Sequence, residues 1–190
     1  MIPRLLWSSY AIIWLLLAIR PNDRDDWLLE NLLVFVAVPI VIWLQRRLPF
    51  SNRALILLWI FFVLHAIGAH YTYAEMPWIT PLTDYFAWQR NHYDRLVHFL
   101  FGLLLFRPLA EQLSTAFPHK GSRLVVTLLV LFSASGMYEI IEWLATEWTH
   151  PELGIAFLGT QGDQWDAQKD MVLAHLGALL ACWYELHQHD

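Results

Sequence analysis

Residues 124–144 read LVVTLLVLFSASGMYEIIEWL, an almost unbroken apolar run. A helix needs about 20 such residues to cross roughly 30 Å of hydrocarbon. The two charged side chains of this run, Glu139 and Glu142, lie near its C-terminal end. The stretch therefore predicts a transmembrane helix that carries two carboxylates close to one edge of the membrane.

Five further apolar segments lie at about 5–19, 27–44, 54–69, 96–109 and 171–186. Several are shorter than the roughly 20 residues of a full span, so their polar ends must continue the helices or enter the bundle. Arg107-Pro108 interrupts the inner end of the fourth segment. Because helices satisfy their own backbone groups in lipid, we predict an all-α fold. The chain is expected to be a polytopic membrane protein with about six transmembrane helices in one bundle, and residues 1–190 form a single integral membrane domain.

The composition supports a membrane protein and excludes several other classes. Hydrophobic residues make up 57% of the chain and charged residues 15%, against about 45–50% and 25% in soluble proteins. The mean hydropathy is +0.41. No cluster of lysine and arginine suggests nucleic-acid binding. Cys182 is the only cysteine, which excludes an intrachain disulfide and a cysteine-based zinc cluster.

The basic residues indicate an orientation. Seven of them fall at the end of the bundle that holds the second-to-third and fourth-to-fifth connections, and five fall at the other end. Arginines concentrate in the two short connections, and short cytoplasmic loops carry an excess of lysine and arginine. We therefore predict that both termini are cytoplasmic. Most aspartates and glutamates then lie on the outer side.

One helical face at the start of the fourth segment carries Asp94 and His98, which are four residues apart. Such a pair can bind one metal ion, or the carboxylate can orient the imidazole as a general base. The alternative is a helix N-terminus, in which Asp94 complements the helix dipole and His98 is a hydrogen-bonded interior residue.

Glu139 and Glu142 share a face of the fifth helix, where two carboxylates repel unless a cation or a shared proton compensates them. This favours metal binding or acid–base catalysis. The alternative is a structural salt bridge between one of these glutamates and Arg95 or Lys169.

A third acidic group precedes the sixth segment. Asp163, Asp166 and Asp170 follow at spacings of three and four and line one stripe if the helix begins near Asp163. They can bind Mg²⁺ or Ca²⁺ or complete a mixed histidine–carboxylate zinc site. The alternative is an acidic first turn that Asp163 caps. His70, at the outer end of the third helix, is a further candidate ligand, whereas His65 is interpreted as a core imidazole bonded to a neighbouring helix.

Four motifs in this chain resemble the YjdF-type family of bacterial inner-membrane proteins. They are HYTYAE (70–75), NHYDRLVHF (91–99), YEIIEW (138–143) and FLGTQGDQWDAQKDM (157–171). The resemblance covers about residues 65–178. It implies a small multi-pass inner-membrane protein and brings no established activity.

A more distant likeness is to VanZ-like membrane proteins. It rests on Asp94, His98, Glu139 and Asp170. Ala174 stands where the VanZ-like pattern usually has asparagine, so the likeness transfers no function.

Together these patterns favour a metal-dependent hydrolase or transferase that acts on a lipid or amphipathic substrate at the periplasmic face. His70, Asp94, His98 and Asp170 are the predicted ligands of a divalent ion, zinc or magnesium, and Glu139, Glu142 and Asp166 are the predicted catalytic groups. Membrane lipid is the expected partner. Two alternatives stay open: a structural or partner-binding membrane protein, and a transporter or cation-binding component, which the apolar inner halves of the helices disfavour.

Overall fold

The computed structural model describes residues 2–148 and 160–188, which fold into helices and connecting turns. The α-helices of these residues are α1 Ile2–Leu17, α2 Arg24–Arg47, α3 Asn52–Tyr71, α4 Thr80–Tyr85, α5 Tyr93–Gln112, α6 Lys120–Trp148 and α7 Asp166–His187. A 3₁₀ turn, Tyr73–Glu75, lies between α3 and α4. The six long helices correspond to the six apolar segments, so the predicted all-α membrane fold is confirmed.

Local sequence sets where these helices begin. The Asp23 side chain accepts hydrogen bonds from the backbone amides of Asp25 and Asp26 and so caps α2. The Ser51 hydroxyl accepts from the amide of Ala54 and caps α3. The expected interruption at Pro108 does not end α5, which continues to Gln112. A membrane helix tolerates such a proline because neighbouring helices and local adjustments satisfy the backbone groups that it leaves unbonded.

Within the described part of the chain, three helices are long and apolar enough to cross a membrane by length and composition: α2, α3 and α6. Helix α1 is apolar but shorter, at 16 residues. Helices α5 and α7 have 20 and 22 residues and carry charged side chains near both ends. These lengths fit a multi-pass bundle in which the polar ends of α5 and α7 enter the protein interior.

Helix α5 lies at the centre of the bundle. It packs against α3, α6 and α7, while α1 and α2 pack against α3. The contact between α5 and α7 is the closest, because each helix places a glycine against the backbone of the other. A Cβ atom at Gly102 would overlap the carbonyl oxygen of Ala174, and one at Gly177 would overlap that of Phe99. This close approach brings the N-terminal turns of α5 and α7 together.

The polar motifs lie at one end of the bundle, which we call the acidic end. It is formed by the C-terminal turns of α3 and α6 and the N-terminal turns of α2, α5 and α7. At the opposite end, Arg107 lies between Glu111 and Glu185. The predicted grouping of distant acidic motifs at a single end is therefore present in the fold.

Candidate functional site

A buried group of three side chains occupies the acidic end. Asp94 and His98 come from the first turns of α5, and Asp170 comes from the second turn of α7. One candidate ligand atom from each residue lies within 4.8 Å of the other two. All three residues are buried. The spacing of Asp94 and His98 on one helical face, together with the close α5–α7 contact, produces this group.

Both imidazole nitrogens of His98 face carboxylates. The distance from Nε2 to the Asp94 Oδ1 atom is 3.4 Å, and Nδ1 lies 3.6 Å from the Glu139 Oε1 atom. Glu142 follows one turn later on α6 and is also buried. Two buried carboxyl groups on one helical face repel each other when both are ionised, so the pair is suited to hold one proton and to transfer it.

Asp166 takes part in an ion-pair network beside this group. Its Oδ1 atom accepts a short charge-assisted hydrogen bond from Arg90 and another, of 3.0 Å, from Arg95. Arg95 also donates to Asp163 at 2.6 Å, and Lys169 donates to the same carboxylate at 2.5 Å. The pKa of Asp163 lies below its usual range because of the hydrogen bonds from Lys169 and Arg95.

The start of α7 differs from the predicted one. The helix begins at Asp166, and Asp163 lies in the preceding turn, where its side chain accepts from the Trp165 amide. Asp163 therefore does not share a helical stripe with Asp166 and Asp170. It does not cap the helix either, because Trp165 is the N-cap residue and no side chain caps α7. The alternative for the glutamate pair is not observed in residues 2–148 and 160–188: Arg95 and Lys169 pair with aspartates.

A side-chain clamp fixes the loop before α5 to the loop before α7. The Gln161 amide bonds both backbone groups of Asn91: Oε1 accepts from the Asn91 amide at 2.7 Å, and Nε2 donates to its carbonyl at 3.0 Å. The Asn91 side chain donates to the Met76 carbonyl and accepts from the Tyr93 amide. These contacts fix the relative position of the helix starts that carry Asp94 and Asp170.

The two histidines of α3 lie outside the group of three. His70 Nδ1 donates to the Leu17 carbonyl at 2.6 Å, at the contact between α3 and α1. His65 Nε2 donates to the Glu30 carbonyl of α2, and Nδ1 accepts from the Tyr73 hydroxyl at 2.6 Å. Both nitrogens of His65 are thus occupied, in agreement with its interpretation as a core imidazole. Burial raises the pKa of Tyr73, which keeps its hydroxyl a donor.

An apolar cavity of about 350 Å³ adjoins the buried group. Its walls come from α2, α3, α5 and α6, and Asp94 and His98 form part of its polar end together with Ser135 and Tyr138. The Tyr138 hydroxyl lies 3.4 Å from a Glu30 carboxylate oxygen across the bundle. A mostly apolar cavity with a few converging polar groups is the usual form of a small-molecule site.

The group of three fits a divalent cation. The Asp170 Oδ1 and Glu139 Oε1 atoms are buried and make no hydrogen bond within the described part of the chain. A buried carboxylate oxygen without a partner costs about 1–3 kcal/mol or more, and a cation offsets this cost. Zinc accepts both imidazole nitrogen and carboxylate oxygen as ligands, while the oxygens alone also suit magnesium.

The fold and the buried group together define a multi-pass helical membrane protein with a polar centre beside an apolar cavity. Comparison with known proteins is consistent with this class. The chain belongs to the family described as predicted membrane protein (DUF2238), which matches residues 2–190. It is 35% identical over 176 residues to the inner membrane protein YjdF of Escherichia coli (strain K12). The aligned residues cover 90% of this chain and 82% of that protein. No solved structure matches the chain.

These findings confirm the resemblance that the four motifs indicated. The likeness to VanZ-like proteins and the single-domain assignment stay predictions. Within the last motif, residues 157–159 lie outside the described part of the chain.

Sequence reasoning did not find several residues of the site. Arg90, before α5, donates a hydrogen bond to Asp166 of α7, and Gln161, before α7, accepts one from the Asn91 amide. Ser135 lies in the cavity wall. Gln161 lies inside the fourth motif and Arg90 directly precedes the second, and this proximity to the motifs was the available signal. Ser135 lies on the same helical face as Glu139 and Glu142, but a lone serine in an apolar helix does not by itself indicate a binding site.

Proposed function

We propose that this protein is a metal-dependent hydrolase or transferase that acts on an amphipathic substrate at the periplasmic face of the inner membrane. The observation that carries the proposal is that Asp94, His98 and Asp170 lie close enough to share one ion, while Asp94 and His98 also line an apolar cavity. The cavity accepts an apolar group, and the ligand set holds a cation where the polar part of the substrate would lie.

Each residue has a distinct task in this proposal. Asp94, His98 and Asp170 hold the divalent ion, zinc or magnesium, which supplies Lewis-acid chemistry when bound. The Glu139 and Glu142 pair moves a proton, because both carboxyl groups are buried on one face of α6 and Glu139 lies 3.6 Å from the His98 ring. Asp166 positions Arg90 and Arg95 rather than reacting, and His70 binds the Leu17 carbonyl instead of the ion.

The periplasmic location follows from the arginine-rich connections at the opposite end of the bundle. Arg46, Arg47 and Arg53 lie in or beside the α2–α3 connection, and Arg123 lies in the first turn of α6. Under the positive-inside rule this end is cytoplasmic, as are both termini. Reporter fusions to each terminus and to the α4 loop test the orientation. A reporter in the α4 loop that gives a cytoplasmic signal would overturn the proposed orientation.

A structural or partner-binding membrane protein is the second candidate. The ion pairs among Arg90, Arg95, Asp163 and Asp166 favour it, since they account for much of the charge at the acidic end without a substrate. They leave Asp170 Oδ1 and Glu139 Oε1 without a hydrogen bond in the described residues, although Arg95 lies 3.9 Å from Asp170 and His98 lies 3.6 Å from Glu139. This is why we prefer the enzymatic proposal. We place a transporter third, because the wall of the cavity toward the opposite end is formed by apolar residues such as Val41, Leu58 and Leu105.

Metal content separates these candidates. Protein purified in mild detergent is expected to contain about one divalent ion per chain by elemental analysis, and His98→Ala or Asp170→Asn should remove it. The matched control is Asp84→Asn, which removes an exposed acid of α4. Wild-type protein that folds normally and binds no divalent ion, even after incubation with zinc or magnesium, would favour the structural candidate.

A second measurement tests catalysis. Wild-type protein in vesicles of bacterial lipid extract is expected to convert a lipid component, detected by mass spectrometry of the extract. Glu142→Gln should retain the ion and lose turnover by about 10²-fold or more, the usual contribution of a general acid–base group. Equal conversion by Glu142→Gln and wild type would remove Glu142 from the mechanism.

A further inference from the structure

The cavity beside the buried group is open toward the bilayer. Leu33 of α2 and Met137 and Ile141 of α6 line it, and all three side chains are also exposed on the surface of the bundle. In a membrane protein this surface is covered by lipid chains. Helix α2 packs on α3, and α6 packs on α5 and α7, so α2 and α6 flank the opening from different sides. A hydrocarbon chain can therefore reach the cavity without leaving the membrane.

The interior of the cavity suits a hydrocarbon chain better than a helix. Phe61 of α3 and Phe101 of α5 form its apolar walls. Its volume of about 350 Å³ lies at the lower end of the range for small-molecule sites, about 300–1,000 Å³. A helix with its side chains is about 10–12 Å wide and would not fit inside it.

Ser135 marks the place where a polar group of the ligand would lie. It is only 2% exposed, and its hydroxyl makes no hydrogen bond in the described part of the chain although it lines the cavity. Buried hydroxyls are usually satisfied. Asp94 and His98 line the same end of the cavity. The Ser135 hydroxyl lies between the apolar wall and the buried group. A hydrogen-bond donor at this position suits the ester group that joins an acyl chain to its lipid headgroup.

We propose that this cavity binds one acyl chain of a membrane lipid, which enters from the bilayer between α2 and α6. The Ser135 hydroxyl donates a hydrogen bond to the ester carbonyl, and the headgroup lies toward Asp94, His98 and Asp170. This inference rests on the proposed function and names its substrate class: an acyl lipid that reaches the site laterally.

Photo-cross-linking tests the occupant. The probe is phosphatidylglycerol with a diazirine in one acyl chain, reconstituted with the full-length protein in vesicles. Labelled peptides are expected to include Phe61 and Phe101 on the cavity wall. Ala37→Trp and Ala134→Trp narrow the cavity from α2 and α6, and each should reduce this labelling at least fivefold. The matched control is Leu129→Trp, which adds the same ring to an exposed position of α6 outside the cavity.

Labelling spread evenly over the lipid-facing helices, with no difference between Ala134→Trp and Leu129→Trp, would overturn the acyl-chain site. If neither cavity variant folds, the positions labelled in wild-type protein decide the question alone. Ser135→Ala should weaken probe binding about three- to tenfold, the range for one lost hydrogen bond, and Ser135→Thr should restore it. Equal binding by Ser135→Ala and wild type would remove the hydroxyl from the site.

Metal analysis of the same preparations keeps the two proposals distinguishable. Bound metal without labelling of the cavity means that the acyl-chain inference fails and the proposed metal site stands. Labelling of the cavity without bound metal means that the proposed function fails and the chain-binding site stands.

Discussion

The two ends of the α5–α7 pair both carry charged side chains, yet their charges are balanced in opposite ways. At the opposite end, Arg107 contacts Glu111 and Glu185 at 3.0 Å each. Glu111 also accepts hydrogen bonds from the amide and hydroxyl of Ser51, at 2.9 and 2.7 Å. Each carboxylate there has a donor, so this end acts as a clamp between α3, α5 and α7.

At the acidic end, carboxylates outnumber the cations that contact them. Asp94, Asp170 and Glu139 surround His98, and two of their oxygens lack a hydrogen bond in the described part of the chain. The same pair of helices thus supports a satisfied clamp at one end and an excess of carboxyl groups over cations at the other. Unsatisfied buried charge costs stability, and proteins retain such costs mainly at functional sites.

The largest effect is expected from a change that separates α5 from α7, because both ends depend on that contact. Gly102→Ala places a methyl group against the backbone of α7. It should lower the free energy of unfolding by about 3 kcal/mol, the upper end of the usual overpacking cost. Unfolding by SDS titration in mixed micelles measures this. The control, Gly121→Ala, adds the same methyl group where nothing lies within 4 Å, and should be neutral or stabilising. Equal behaviour of the two variants would mean that the α5–α7 contact is not tight.

Metal removal is expected to affect the acidic end alone. At a free concentration one hundred times the dissociation constant, a bound ion stabilises the fold by about 2.7 kcal/mol. A chelator should therefore lower the unfolding temperature of wild-type protein. It should leave Asp170→Asn unchanged, since that variant no longer binds the ion. A chelator effect of the same size in both proteins would place the ion elsewhere.

Loss of one carboxylate should have opposite signs at the two ends. Glu111→Gln weakens the clamp, and we expect a loss of about 1 kcal/mol, because its side chain is partly exposed. Glu142→Gln removes one of two mutually repelling carboxyl groups and should stabilise the metal-free protein by about 0.5–2 kcal/mol. Both values come from unfolding titrations in the presence of a chelator. Destabilisation by both substitutions would show that the acidic end is as well balanced as the opposite end.

The difference between local and long-range information explains what the sequence could predict. The six long helices follow from apolar segments, and the Asp94–His98 pair follows from helical spacing. Asp170 comes close to that pair because α5 and α7 pack tightly. This packing requires Gly102 to lie against the backbone of α7 and Gly177 to lie against the backbone of α5. Two glycines far apart in the chain do not reveal such a contact.

The start of α7 and the hydrogen-bond partner of His70 could not be predicted from the sequence either. Asp163 lies in a turn because α7 begins at Asp166, and helix starts are set by competing local hydrogen bonds. The partner of His70 is a backbone carbonyl of α1. Any residue can supply such a carbonyl, so side-chain identity gives no indication of the contact.

The smallest effect is expected at the partly exposed rim of the acidic end, where Lys169 and Arg95 bind Asp163. Their hydrogen bonds lower the pKa of Asp163, so the folded protein binds this proton less tightly than the unfolded chain does. The ionised carboxylate therefore stabilises the fold above the usual aspartate pKa of about 3.9. This contribution is lost as the pH falls through the lower folded pKa.

The unfolding temperature of Asp163→Asn should accordingly lie slightly below that of wild type at pH 5–7, because exposed ion pairs contribute little. The difference should shrink as the pH falls below about 4. Asp84→Asn is the control, since its exposed side chain takes part in no ion pair within residues 2–148 and 160–188. A constant difference down to pH 2, or the same pH profile for both variants, would mean that the rim carboxylate is not held by Lys169 and Arg95. The excess of carboxyl groups over cations at the acidic end would then extend to its surface.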